Sequence, residues 1–135
     1  MSDDKDSALV VAIVRELKLA NEFLRGISED DFEQDVMRQH AVAMAVAQTG
    51  EYVKKLSPEF RARTPEVSWK AMAGIRDWIV HNYEGLDFEE LYESVVTDAP
   101  VVLEYLAPLV QALQQDQLPD AGAGIEDFLS GSDTL

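Results

Sequence analysis

Four side chains that could take part in catalysis lie between positions 76 and 83: Arg76, Asp77, His81 and Tyr83. If this segment is helical, Asp77 and His81 are four residues apart and can form a hydrogen bond along one face. Arg76 and Tyr83 are seven apart and also share a face. Arg76 and His81 point about 140° away from each other, so they flank a ridge of the helix. A twofold dimer could line one cleft with two copies of each.

These residue types fit the cleavage of RNA without a metal. A histidine can accept the proton of a ribose 2′-hydroxyl or deliver one to the leaving 5′-oxygen. An arginine can hold the phosphate through two hydrogen bonds and stabilise the charge of the transition state. Asp77 could orient the imidazole of His81 and raise its pKa. The expected products carry a 2′,3′-cyclic phosphate and a 5′-hydroxyl.

Ordinary structural roles fit the same residues. A histidine near a helix end often caps the helix or contacts a partner, and Arg76 and Asp77 could be surface charges. We interpret His40, which lies among alanines and valines, as a packing or interface histidine. Spacing alone leaves the catalytic and the structural interpretations of the 76–83 segment open.

Most other site chemistries lack the residues that they need. The chain has no cysteine, which excludes a thiol nucleophile, a disulfide framework and a Cys-based zinc site. It contains no glycine-rich phosphate loop and no HExxH motif. Neither histidine belongs to a Glu-x-x-His pair, because Met37 precedes His40 by three residues and Trp78 precedes His81 by three. We therefore predict no metal and no cofactor.

The composition is that of one globular domain with an acidic surface. The 135 residues are 47% hydrophobic, and 26 acidic residues outnumber 11 basic ones for a net charge of -15. Binding to a polyanion depends on clustered lysine and arginine, so no DNA partner is expected. One strip between positions 54 and 76 is nevertheless basic, and it could face an RNA phosphate or simply be solvated. Its basic residues are Lys54, Lys55, Arg61, Arg63, Lys70 and Arg76.

The sequence predicts a cytoplasmic protein that does not enter a membrane. The longest apolar runs, residues 9–14 and 41–47, are far shorter than the roughly 20 residues of a membrane helix. The first residues are acidic, whereas a signal peptide begins with basic residues.

The spacing of apolar residues is helical nearly throughout and predicts an antiparallel bundle of four to six helices. Helix breaks are expected at Gly26, near residues 34–36, at Ser57-Pro58 and at Pro65. Ser28 and Asp87 each lie three residues before an acidic residue, a pattern typical of helix starts. Pro100 suits the first turn of a separate final helix. The predicted helices cover residues 6–25, 28–56, 68–83, 87–97 and 98–113, with a short turn of helix after Ser57.

The chain divides into a helical domain, residues 1–114, and an acidic C-terminal tail, residues 115–135. The last twenty residues contain five acidic residues and no basic one, with the sequence Ala-Gly-Ala-Gly in the middle. Such a segment has too little apolar surface to offset the entropy lost on ordering, so we expect it to be flexible.

The string Arg76-x4-His81-x-Tyr83 resembles the signature of the HEPN superfamily, and specifically of the HepT-like toxin ribonucleases. The resemblance extends over about residues 8–112. Asn82 stands where the family often has glycine. Four further segments follow the pattern of this family: residues 26–32, 50–57, 65–70 and 86–92.

This resemblance implies an all-helical homodimer whose paired motifs form an interfacial ribonuclease cleft. Arg76 and His81 would be the catalytic pair, and Asp77 matches the polar residue that the superfamily favours after the arginine. Toxins of this family belong to type VII toxin–antitoxin systems and are encoded beside a minimal nucleotidyltransferase antitoxin. That partner transfers AMP from ATP to the motif tyrosine, here Tyr83, and thereby silences the nuclease.

Two other functions remain compatible with the sequence. The first is a catalytically silent HEPN dimer that binds a nucleotide or the nucleotidyltransferase. The second is a helical interaction protein without a site. Arg76 and His81 are compatible with both an active nuclease and a silent binding module.

Overall fold

The computed structural model describes residues 2–116, and these residues form helices joined by short connections. The predicted acidic tail lies almost wholly outside the described residues, so the domain boundary near residue 114 stays a prediction. The helices are α1 (Ser2–Phe23), α2 (Glu29–Glu33), α3 (Val36–Lys54), α4 (Pro58–Arg63), α5 (Trp69–Asn82), α6 (Phe88–Glu93) and α7 (Ala99–Asp116), with a 3-10 turn at Tyr83–Gly85 and a π-helical turn at Ser94–Asp98.

The long helices pack antiparallel around two apolar clusters. The first half of α1 packs beside the C-terminal ends of α3 and α7, where Val10, Val53 and Val110 are buried together. The second half of α1 packs beside the N-terminal half of α3 in the other cluster, which contains Ala20 and Val42. Helix α5 lies on α3 and begins in the first cluster and ends in the second. The predicted all-α antiparallel bundle is confirmed.

The helix starts follow the side-chain caps that the sequence predicts. Ser28 accepts a hydrogen bond from the backbone N–H of Asp31, and Asp87 accepts one from Glu90. The break predicted near residues 34–36 is present, because Asp35 caps a new helix through the N–H of Arg38. Each cap satisfies a backbone donor that the first turn of a helix leaves without a partner.

Pro100 lies in the first turn of α7, as predicted, but the expected break between this helix and α6 is absent. Helical structure continues from α6 through the π turn into α7, where the N–H of Ala99 bonds to the carbonyl of Ser94, five residues earlier. A proline has no N–H, and its ring clashes with the carbonyl four residues before it. The wider π turn accommodates that defect without ending the helix.

The helical stretch Phe88–Ala112 is long and apolar enough, by length and composition alone, to cross a membrane, with a mean hydropathy of 1.2 over an 18-residue window. One side of it is a core element of the bundle, since Leu91, Val95 and Leu106 are at most 2% exposed. Val101, which is 68% exposed, lies on the opposite side.

Candidate active site

Helix α5 carries the motif and crosses α3 at very short range. A Cβ added to Gly50 would lie 2.4 Å from the Cβ of Arg76 and 2.9 Å from the carbonyl oxygen of Met72. Only glycine permits this approach, because real side chains essentially never come that close. The crossing at Gly50 therefore fixes the position of Arg76 relative to α3.

The guanidinium of Arg76 is held by two carboxylates. Its Nε lies 3.1 Å from Glu51 Oε2, and its Nη1 lies 3.1 Å from Asp77 Oδ1. Asp77 Oδ1 also accepts a hydrogen bond of 2.5 Å from Lys54 Nζ. An arginine has five N–H donors. Two of them are engaged by these carboxylates within the described chain, and a phosphate would bind through the others or displace Asp77.

The Asp77 carboxylate is paired with Lys54 and Arg76 and not with His81. Hydrogen bonds from Lys54, and next from Arg76, hold the pKa of Asp77 below its usual value. The expected orientation of the imidazole by this carboxylate is absent. The main-chain carbonyl of Asp77 takes that role, because it lies 2.8 Å from His81 Nδ1.

His81 is exposed near the C-terminal end of α5. A carbonyl oxygen only accepts hydrogen bonds, so the short contact with Asp77 requires a hydrogen on Nδ1 of His81. In the neutral ring the other nitrogen, Nε2, then carries the lone pair. His81 is therefore oriented as a base whose acceptor nitrogen is Nε2.

One chain does not bring Arg76 and His81 together. Five helical positions separate them, which turns their side chains about 140° apart. Arg76 faces the carboxylate of Glu51 on α3, whereas His81 borders an open depression of about 520 Å³. Trp78, Val80, Asn82 and the 3-10 turn line the rest of this depression. Within residues 2–116, no group of three or more histidine and acidic side chains is arranged to hold a metal ion.

Tyr83 lies in the turn directly after α5 and contacts His40. The Tyr83 hydroxyl is 3.1 Å from His40 Nδ1, and the two ring centroids are 5.0 Å apart. Burial raises the pKa of the Tyr83 phenol. The sequence interpretation of His40 as a packing residue missed this contact, because the two residues are 43 positions apart. Their types alone, an exposed histidine and a motif tyrosine, gave no sign of it.

The basic strip is only partly available to an anion. Arg61 donates to the carbonyls of Val53 and Lys54 at the end of α3, which is a structural role. Arg63 lies over the ring of Phe60 at 6.0 Å. Lys54 and Arg76 are paired with acidic side chains, as described above.

Comparison with known proteins identifies the family to which this helical bundle and its motif belong. Residues 13–109, which include Arg76, His81 and Tyr83, match the family model described as Ribonuclease HepT-like. The chain therefore belongs to the ribonuclease HepT-like family.

Several curated relatives are similar to the chain over most of their length. "Putative RNase TTE0752" from Caldanaerobacter subterraneus subsp. tengcongensis is 31% identical over 99 residues, 73% of this chain and 88% of the relative. "Probable ribonuclease HepT" from Thermococcus cleftensis is 36% identical over 88 residues, 65% of this chain and 80% of the relative. No solved structure gives a significant match.

Proposed function

We propose that this chain is the toxin of a type VII toxin–antitoxin system: a cytoplasmic, metal-independent endoribonuclease that acts as a homodimer. A partner nucleotidyltransferase silences it by transferring AMP to Tyr83. The observation that carries the nuclease activity is the His81 imidazole, which is exposed and presents Nε2 as its acceptor nitrogen on the same helix as Arg76. Membership in the ribonuclease HepT-like family supports the same conclusion.

The chemistry begins when His81 Nε2 accepts the proton of a ribose 2′-hydroxyl. The 2′-oxygen then attacks the adjacent phosphorus, and the bond from phosphorus to the 5′-oxygen breaks. The leaving 5′-oxygen takes a proton from an imidazolium, so that one product ends in a 2′,3′-cyclic phosphate and the other in a 5′-hydroxyl. Arg76 stabilises the negative charge that develops on the phosphate oxygens.

A dimer supplies what one chain lacks. Because Arg76 and His81 diverge on a single helix, a cleft containing both needs a second copy of α5. An exposed apolar side chain on the motif helix supports such an interface, since Val80 is 52% exposed.

Silencing by AMP has a simple physical basis. AMP on Tyr83 would place a negative charge and a bulky group two residues from His81, where the RNA phosphate must enter. Tyr83 borders the same open depression as His81, which supports this explanation.

The test expresses the wild type, Arg76→Ala and His81→Ala without a nucleotidyltransferase and scores growth and RNA integrity. We expect growth arrest and cut RNA with the wild type only. In a purified assay containing a metal chelator, His81→Ala should lower the cleavage rate by about 10²- to 10⁴-fold. Helical content and dimer mass should not change, because His81 is exposed.

A matched control is Glu89→Gln, which changes an exposed side chain on α6 and should leave cleavage unchanged. Intact RNA and normal growth with a folded, dimeric wild type would contradict the proposed nuclease and favour the silent binding module. Unfolding of His81→Ala would make this histidine structural.

A further inference from the structure

The contact between His40 and Tyr83 joins α3 to the end of the motif, and the cleavage chemistry does not use it. The Tyr83 hydroxyl lies 3.1 Å from Nδ1 of His40, with the two rings tilted by 53°. The Tyr83 ring also meets the ring of Phe88 edge-on, at 6.3 Å between centroids. Two aromatic neighbours and one hydrogen bond therefore fix the tyrosine side chain.

The direction of the hydrogen bond follows from a third group. His40 Nδ1 is also 2.9 Å from the carbonyl oxygen of Val36, which can only accept. The hydrogen must therefore be on Nδ1, and the Tyr83 oxygen accepts a share of it in a three-centre bond. The phenol then keeps its own hydrogen for another acceptor.

We propose that His40 is a positioning residue for adenylylation of Tyr83: its Nδ1–H holds the phenol oxygen in place to attack the α-phosphorus of ATP. This role rests on the proposed silencing of the nuclease through Tyr83. His40 acts on the tyrosine and touches neither the RNA nor the base of the cleavage reaction.

The transfer step balances without a further reactant. The Tyr83 oxygen forms a bond to the α-phosphorus, the bond from that phosphorus to the oxygen bridging to the β-phosphate breaks, and pyrophosphate leaves. The phenol proton passes to water. The attacking oxygen carries negative charge as its proton leaves, and the N–H of His40 stabilises that charge.

The environment of Tyr83 gives this donor a chemical role. Burial raises the pKa of the phenol, which works against the nucleophilic form. An N–H donor to the same oxygen has the opposite effect.

The surface around His40 can also receive a macromolecule. Met37 and Met44 lie three residues before and four residues after His40, on the same face of α3. They are 82% and 64% exposed, so apolar surface flanks the histidine that holds the target tyrosine. This is the composition of a protein contact surface, which suits a partner enzyme that must reach Tyr83.

The first experiment measures AMP transfer from ATP to the full chain by the nucleotidyltransferase of the proposed toxin–antitoxin pair, followed as an increase in intact mass. The variants are His40→Ala, which removes the donor, and His40→Asn, whose amide nitrogen can replace Nδ1. We expect His40→Ala to lower kcat about tenfold. His40→Asn should restore most of the rate, and Tyr83→Phe should give no transfer.

Phe88→Leu is the matched control, because it loosens the packing of the same tyrosine ring without removing the donor. An equal loss of rate in Phe88→Leu and His40→Ala would overturn the proposal in favour of packing alone. Equal rates for the wild type and His40→Ala would also overturn it while leaving the silencing intact. If the wild type itself takes no AMP, the proposed silencing fails, and the role of His40 fails with it.

The second experiment titrates the Tyr83 phenol by its ultraviolet absorbance, with Tyr83→Phe subtracted to remove the other tyrosines. It needs no partner protein. We expect the pKa of Tyr83 to rise by about one unit in His40→Ala and to return in His40→Asn. An unchanged pKa in His40→Ala would show that Nδ1 does not donate to Tyr83.

Discussion

The longer part of α5 up to Asp77, called the first half, and the part after Asp77, called the second half, differ in how they meet the rest of the bundle. In the first half, Trp69 is 4% exposed and its indole N–H donates to Thr64, and the helix then crosses α3 at Gly50 with no room for a methyl group. In the second half, Val80 is 52% exposed and His81 is also exposed. The residues that pack α5 against the bundle are therefore followed directly in the chain by the residues that expose its reactive side chain.

This division separates two requirements of a site. A reactive side chain must be accurately placed, which needs close packing, and it must be accessible to a large substrate, which forbids close packing around it. The bundle meets the first requirement at Arg76 and the second at His81, along one rigid helix. The difference predicts that substitutions in the two halves, or on the two faces, of α5 have separable effects.

The largest expected effect is on the free energy of unfolding. It concerns two adjacent residues on opposite faces of the second half of α5. Ile79 is 5% exposed in the apolar cluster, whereas its neighbour Val80 is 52% exposed. Ile79→Ala should lower the free energy of unfolding by about 2–5 kcal/mol, because it leaves a cavity. Val80→Ala should change it by at most about 0.5 kcal/mol and should instead weaken self-association.

Urea unfolding at two protein concentrations measures the first effect, and sedimentation measures the second. The two concentrations are needed because dimerisation stabilises the fold by mass action. Equal destabilisation by the two variants would mean that the second half of α5 is buried on both faces, and the contrast between the halves would fail.

Substitutions of two glycines test the close crossing of α3 and the first half of α5. Gly50→Ala would place a methyl group 2.4 Å from the Cβ of Arg76, so α5 must move away from α3. We expect a loss of about 1–3 kcal/mol in the free energy of unfolding. Gly74→Ala, on α5 with nothing within 4 Å of the added Cβ, should instead gain about 0.5–1 kcal/mol from helix propensity.

Thermal unfolding monitored by circular dichroism compares the two glycine variants under one condition. Gly50→Ala should also reduce RNA cleavage, since Arg76 moves with the helix. A Gly50→Ala protein as stable and as active as the wild type would remove the crossing as the feature that positions Arg76.

Much of the fold was predictable because it depends on local rules. Ser28 and Asp87 cap helices through neighbours three residues away, so both caps were visible in the sequence. The predicted break before Pro100 is absent, because a π turn joins α6 to α7. A proline in the first turn is typical of a helix start, so the sequence pattern does not distinguish a new helix from one that continues through a π turn.

The site was predictable only within its own helix. The motif residues were found, but their partners on α3 were not: Lys54 meets Asp77 across 23 positions, and His40 meets Tyr83 across 43. Helical periodicity relates residues three and four apart and carries no information on which helices cross. The orientation of His81 by a main-chain carbonyl was missed as well, because side-chain types do not reveal it.

The smallest predicted effect concerns the ion pairs of the first half. The Asp77 carboxylate has a lowered pKa in the folded protein, because Lys54 and then Arg76 donate to it. Such a group stabilises the fold fully above its unfolded pKa of about 3.9, and the contribution disappears as the pH falls through the folded value. Asp77→Asn should therefore lower Tm slightly at pH 7, and the difference from the wild type should shrink below about pH 4.

The measurement is Tm from pH 7 down to about pH 3 at low and high salt, with the exposed Asp98→Asn as the control. Salt should reduce the effect at pH 7, since Asp77 and Lys54 are partly exposed and their attraction is screened. A difference that stayed constant with both pH and salt would show that Asp77 acts on the fold without its charge. The first half of α5 would then be held by the glycine crossing and apolar packing alone, and the charges around Arg76 would serve only the site.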